Sequence, residues 1–212
     1  MPVWDVAYVL ISVERLLVRV RHVPSRAAEL IALRERLREA MAEQPGPEEQ
    51  RLAAELRALK LEVSAALASV TSCRTCATGK RPPRGTFVGG DCCSATTADL
   101  FSEEQLAPLV QAGTRPRHLR APRTEHAGCS FRGAQGCTLA TEHRPGRCVH
   151  YTCIMLRGEL RKRGDLVAMD ALLDELKAKM AEHVAARQRR LDDEVVASLE
   201  TAITDARTSR PS

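Results

Sequence analysis

The sequence predicts a mainly α fold in which helical hairpin or bundle arms flank a small, loop-rich, cysteine-ligated metal domain. Three observations predict it. Apolar residues recur at three- and four-residue steps through both terminal thirds of the 212-residue chain, the period of one helix face. Aromatic residues make up only 3% of the chain, so its apolar mass lies in Leu, Val and Ala, which suits helices better than packed sheets. All eight cysteines fall between Cys73 and Cys153, with none in the 72 residues before or the 59 after. The expected organisation is a helical region over 1–70, a cysteine cluster over 71–156, and a long helix with a polar tail over 157–212.

Val6, Val9, Val13, Leu16 and Val20 form an apolar stripe on a helix of about 20 residues. Pro24 ends it, and Ser25 is an N-cap for a helix near 26–43 with Leu30, Leu33, Leu37 and Met41 on one face. Gln44-Pro45-Gly46-Pro47 breaks the chain, and Pro47 suits the first turn of the next helix. That helix carries Leu52, Leu56, Leu59, Val63, Ala66 and Val70 at alternating four- and three-residue steps. The short connection predicts an antiparallel, coiled-coil-like hairpin over 26–70. The same stripes offer a surface for self-association or for a protein partner.

The hairpin leads into Ser72 and the first cysteine pair, Cys73 and Cys76. Residues 80–85 form a basic, turn-rich loop, and Phe87-Val88 before Gly89-Gly90-Asp91 predicts a short extended piece and a tight turn. Ser102 and Gln105 make a capping box, with Phe101 and Leu106 at the hydrophobic-staple positions. This helix ends at Gly113, and residues 114–128, rich in Pro and Arg, read as a surface loop. Beyond Cys153, Asp165 is a candidate N-cap for a helix striped by Leu166, Met169, Leu173, Leu176, Met180 and Val184, extended by Leu191, Val195 and Leu199. Thr208 to Ser212 reads as a disordered tail.

The net charge of +5 sits with the cysteines. Residues 71–156 hold 11 basic and 6 acidic side chains, whereas 1–70 hold 10 of each and 157–212 hold 11 of each. Four thiolates around a dication carry a local charge of −2, which neighbouring arginines would offset. A basic stretch also fits a zinc-supported nucleic-acid binder using Arg81, Arg84, Arg115, Arg117, Arg120 and Arg123. The scarcity of aromatic residues, which leaves bases nothing to stack on, argues against it.

Val6 to Val13 has the length of a secretory apolar core, but Asp5 and no Lys or Arg precede it, and no small-residue cleavage site follows. No stretch is long enough to span a bilayer. The expected setting is cytoplasmic, without membrane association, where eight cysteines favour metal ligation over disulfides.

Cys73-x2-Cys76 and Cys148-x4-Cys153 fit zinc knuckles, whereas Cys129-x7-Cys137 is wider. Iron–sulfur clusters also take four thiolates, so spacing leaves zinc and iron–sulfur both open. Cys92 and Cys93 point oppositely in an extended backbone, so they serve different sites or only one of them ligates. Eight thiolates make two four-thiolate sites, or one cluster with bystanders. A thioredoxin-like reading of Cys73-x-x-Cys76 needs a βαβ context that the sequence lacks. His143 and His150 lie inside the ligand segment, as replacements for a cysteine or as supports behind the ligands. His118 and His126 lie in the basic loop, and the surplus of thiols makes all four surface or supporting residues. His22 and His183 read as helix surface. Because 71–156 is loop-rich and apolar-poor, metal is expected to decide whether it folds, a structural zinc supplying ~10–16 kcal/mol.

With these residues laid out, 71–156 resembles the CxxCxxCC family of zinc- or iron-chelating proteins, the YkgJ-type cysteine-cluster proteins. The resemblance rests on Gly136-Cys137-Thr-Leu, Arg144-Pro145 and the aromatic-containing Cys148-Val-His-Tyr-Thr-Cys153, with Glu142 as the family's acidic residue and Tyr151 as its aromatic. Cys129-Ser-Phe corresponds to the family's Cys-Pro-Phe-type start. The first half departs, because 15 residues separate Cys76 from Cys92-Cys93 where the family runs C-x-x-C-x-x-C-C together. The resemblance implies metal chelation, with Cys73, Cys76, Cys92, Cys93, Cys129, Cys137, Cys148 and Cys153 as the expected ligands and Arg144-Pro145 shaping the loop before Cys148. Some relatives are flagellin lysine methylases with an iron–sulfur cluster, so an iron–sulfur-dependent transferase is the enzyme alternative. The chain has no G-x-G-x-x-G loop to hold a cosubstrate.

Overall fold

A computed structural model of the chain describes residues 26–72, 96–122, 129–133 and 136–208. The stripe over 6–20, His22, Cys73, Cys76, the loop over 80–91, Cys92, Cys93, His126 and the tail after Thr208 lie outside the described residues.

The described chain is mainly helical. Helix α1 spans Arg26–Ala42 and α2 spans Pro47–Ala66. Pro47 occupies the first turn of α2, and the Glu49 carboxylate accepts the Gly46 N–H at 3.1 Å, closing one orphan donor of the helix start. The short helix α3 spans Thr97–Leu100, and a capping box missed in the sequence opens it. Thr96 Oγ1 accepts from the Asp99 N–H at 3.1 Å, and Asp99 Oδ2 accepts from the Thr96 N–H at 3.3 Å. Helix α4 spans Glu103–Gln111. Ser102 stands at its N-cap as expected, but its side chain makes no capping bond. Gln105 instead accepts from the Arg147 N–H at 3.3 Å.

A hairpin pairs β1, Arg132–Gly133, with β2, Gly136–Cys137, antiparallel and with Arg132 opposite Cys137. Helix α5 spans Gly146–His150, α6 spans Ile154–Arg163 and α7 spans Leu166–Thr208. Gly113 and Gly164 end α4 and α6 at φ +94° and +81°. In each case the following N–H reaches back to close the last turn, Thr114 to Leu109 O at 2.8 Å and Asp165 to Leu160 O at 3.0 Å.

The expected hairpin over 26–70 is not formed. Helix α1 packs against α4, whereas α2 packs along α7 and also touches α4. The reason lies in which apolar faces meet. Leu33 and Leu37 join Leu100, Phe101, Leu106, Leu109, Val110, Leu119, Phe131 and Leu139 in one core. Leu56, Leu59 and Val63 join Val70, Val149, Leu156, Leu160, Met169, Leu173 and Leu176 in a second. Each expected stripe is partly corrected as well. Met41 and Ala66 are exposed, and on α7 burial stops after Ala186. Both cores mix residues of 1–70 with residues of the cysteine segment, so packing runs across residue 70. No described helix is long and apolar enough to cross a membrane.

Candidate metal centre

Four of the eight expected ligands lie among the described residues, and none forms a disulfide. Cys129 is buried in the first core, and Cys137 and Cys148 pack against that core half-buried. Cys153 packs against the second core. The structure therefore gathers three of the four on one core and sets the last on the other. Among the described residues no three Cys, His, Asp or Glu side chains converge as a metal-holding group.

Cys129 is fixed by a polar tie to two helices. The next residue, Ser130, donates its N–H to Thr97 Oγ1 at 2.8 Å, and the Ser130 and Thr97 hydroxyls both donate to the Glu29 carboxylate on α1. Burial pushes the Cys129 thiol up to about 12, and the neighbouring Cys137 and Glu29 add to the rise. At neutral pH this group stays a thiol unless a cation binds it directly, so it is a poor free nucleophile and a ligand only under a metal's pull. Cys137 lies on β2, and Thr138 beside it anchors to Phe131 O through its N–H and its hydroxyl, both at 2.9 Å.

Cys148 rides on α5, whose approach is held from α2. Lys60, almost fully buried, donates to Glu142 O at 2.9 Å and to Arg144 O at 3.0 Å. Burial lowers its ammonium to about 8, against the pull of Glu142 and Cys148. Arg144 Nε donates to Leu139 O at 2.9 Å, Pro145 is the N-cap residue of α5, and the Cys148 N–H reaches Pro145 O at 3.0 Å. Arg144-Pro145 thus shapes the turn before Cys148, as the sequence suggests. Gly146 permits the close pass, because a Cβ there would meet Met180 Sδ and Gln105 Oε1 at 3.3 Å each.

Cys153 is the N-cap residue of α6, its sulfur accepting the Leu156 N–H at 3.5 Å. On the same helix Glu159 accepts the N–H groups of Thr71 and Ser72 at 2.8 and 2.7 Å, which with Thr71 Oγ1 holds its carboxyl down at about 2. This fixes the backbone immediately before Cys73.

The histidines fall out differently. His143 Nδ1 is 3.0 Å from Thr114 Oγ1, and its ring stacks on His118 at 4.1 Å and 9°. Burial lowers the pKa of both His143 and His150. The reading of His183 as helix surface is corrected, for it is buried with its Nε2 2.6 Å from Gln111 Oε1. Gln111 donates its amide N–H to Glu49 at 3.1 Å, which leaves its oxygen to accept from His183 Nε2–H. Glu49 is also buried and accepts from Arg190 on α7. The signal for His183 was in the sequence, because it stands one heptad after the buried Leu176.

Of the six arginines named for nucleic acid, Arg81, Arg84 and Arg123 lie outside the described residues. Arg115 donates to Val110 O and Thr114 O at 2.9 Å, and Arg120 to Arg117 O at 3.0 Å. Comparison of the chain with protein-family models, with curated proteins and with solved structures gave no match.

Proposed function

We propose that the chain is a metal-binding protein of the cysteine-cluster kind, taking zinc or an iron–sulfur cluster through thiolates of its central third. The observation that carries this reading is the confinement of all eight cysteines to 73–153. The gathering of Cys129, Cys137 and Cys148 on one core supports it. So does the anchoring of the backbone on either side, by Glu159 just before Cys73 and by Lys60 just before Cys148. In this reading α1, α2 and α7 are scaffold and the thiolates hold the ion. Burial of Cys129 makes its ligation proton-coupled, so affinity falls as pH falls.

Anaerobic purification followed by metal analysis tests the reading. Stoichiometric zinc in colourless protein, or iron and sulfide in brown protein, is the expected result, reduced by Cys129→Ser and Cys148→Ser. Protein that retains no stoichiometric metal, and takes up none of either under anaerobic reconstitution, overturns it.

A further inference from the structure

Helix α7 runs on past its packing partners among the described residues. Ala186 is its last buried residue, every described side chain from Asp192 to Ala206 is exposed, and Val195, Val196, Leu199 and Ile203 are each more than half exposed. These are not scattered. Leu191, Val195, Leu199 and Ile203 recur every four residues on one face, and Val195, Leu199 and Ile203 stand open to solvent. Acidic residues border that face on both sides, Asp193 and Glu200 in one row, Glu194 and Asp205 in the other, and Asp192 stands within it at its first turn. No Lys or Arg occurs between residues 191 and 206. Two such arms laid together would bring ten carboxylates into one interface, because each carries Asp192, Asp193, Glu194, Glu200 and Asp205. Like charges at that density oppose pairing of the arm with a second copy of itself.

We infer that this acid-bordered apolar arm is the docking surface for the chain's own residues 6–21. That segment has the complementary pattern. Val6, Val9, Val13, Leu16 and Val20 form its stripe, and on a helix Arg15 with Arg19 would border it on one side, and Arg21 beside Glu14 on the other. As helices, 6–21 and 191–206 are equally long, about 24 Å each. Residues 6–13 are apolar on nearly every side, so the segment has more apolar surface than one stripe and gains by being covered. The inference is independent of the metal reading, because none of the eight cysteines takes part.

Hydrogen exchange on the full chain tests it. Amides 6–21 are expected to be protected in a monomer, and Leu199→Asp with Ile203→Asp to speed their exchange at least tenfold while 56–63 stays unchanged. Arg15→Glu with Arg19→Glu should do the same, and adding Asp193→Lys with Glu200→Lys should restore protection. Coil-like exchange of 6–21 in the unmodified chain overturns the inference. So does protection indifferent to the arm variants, protection that appears only with lipid vesicles, or a dimer in which arms join arms or exchange segments.

Discussion

The two hydrophobic cores are built in different ways, and the described cysteines divide unequally between them. The core around Leu176 is made chiefly by the helices α2, α6 and α7, of which α2 and α7 meet along a continuous face. The core around Phe131 sets one face of α1 against short pieces: the single turn of α3, the nine residues of α4, and isolated side chains such as Leu119 and Leu139. Three of the four described cysteines belong to the pieced-together core and one to the helical core. A continuous helix face draws its core residues from one stretch of chain, whereas a core of short segments joined by turns gathers side chains from several points of the chain.

The largest effects should come from emptying either core. Phe131→Ala, at a fully buried ring 5.3 Å from Phe101, is expected to cost ~3–5 kcal/mol, and Leu176→Ala ~2–5 kcal/mol, by denaturant titration. The two should part company in thiol labelling, where only Phe131→Ala speeds modification of buried Cys129. Equal acceleration by both would mean that the cores do not open separately.

Lys60→Met comes next. It keeps the side-chain bulk but leaves the carbonyls of Glu142 and Arg144 without their buried donor, at a cost of about 1–3 kcal/mol. The same variant should loosen Cys148 more than Cys129, read as a larger rise in labelling rate. Gly146→Ala should cost about 1 kcal/mol by crowding Met180 and Gln105, measured as a shift in denaturation midpoint.

The smallest effect is a pH slope. Burial depresses His183, His143 and His150 in the fold, so the unfolded chain binds more protons near pH 6. The sign follows: stability is full above the ordinary histidine pKa of about 6.5 and declines as pH falls through and below it. Tm should drop between pH 7.5 and 5.5, and His183→Gln should remove up to about one proton from the uptake on unfolding. A slope unchanged by His183→Gln would show that His183 titrates as freely folded as unfolded.

The contrast between the cores also accounts for what was legible in the sequence. Leu52, Leu56, Leu59 and Val63 on α2 and Met169, Leu173 and Leu176 on α7 are buried as their spacing indicates, because periodicity survives wherever a helix has several turns. Leu119, Phe131 and Leu139 carry no period, so their burial could not be read one residue at a time. The pairing of stripes was not legible either. Two adjacent striped helices suggest a hairpin, yet α1 and α2 face different cores, and pattern alone does not name a partner. The polar tie of Glu49, Gln111, His183 and Arg190 was hidden for another reason, since its members come from three helices far apart in the chain. Within the candidate site, Arg144-Pro145 before Cys148 was readable because its role is local, whereas Lys60, 84 residues from Arg144, was not.

That lysine has a consequence for anyone who would cut the molecule down. An excised fragment spanning the cysteines would leave behind the ammonium that secures the Glu142–Arg144 turn, together with the Leu33, Leu37, Leu56, Leu59 and Leu176 side chains that wall in its apolar residues. Such a fragment would keep the four described cysteines and lose the packing beneath them, so transplanting the segment into another protein would require grafting α2 with it.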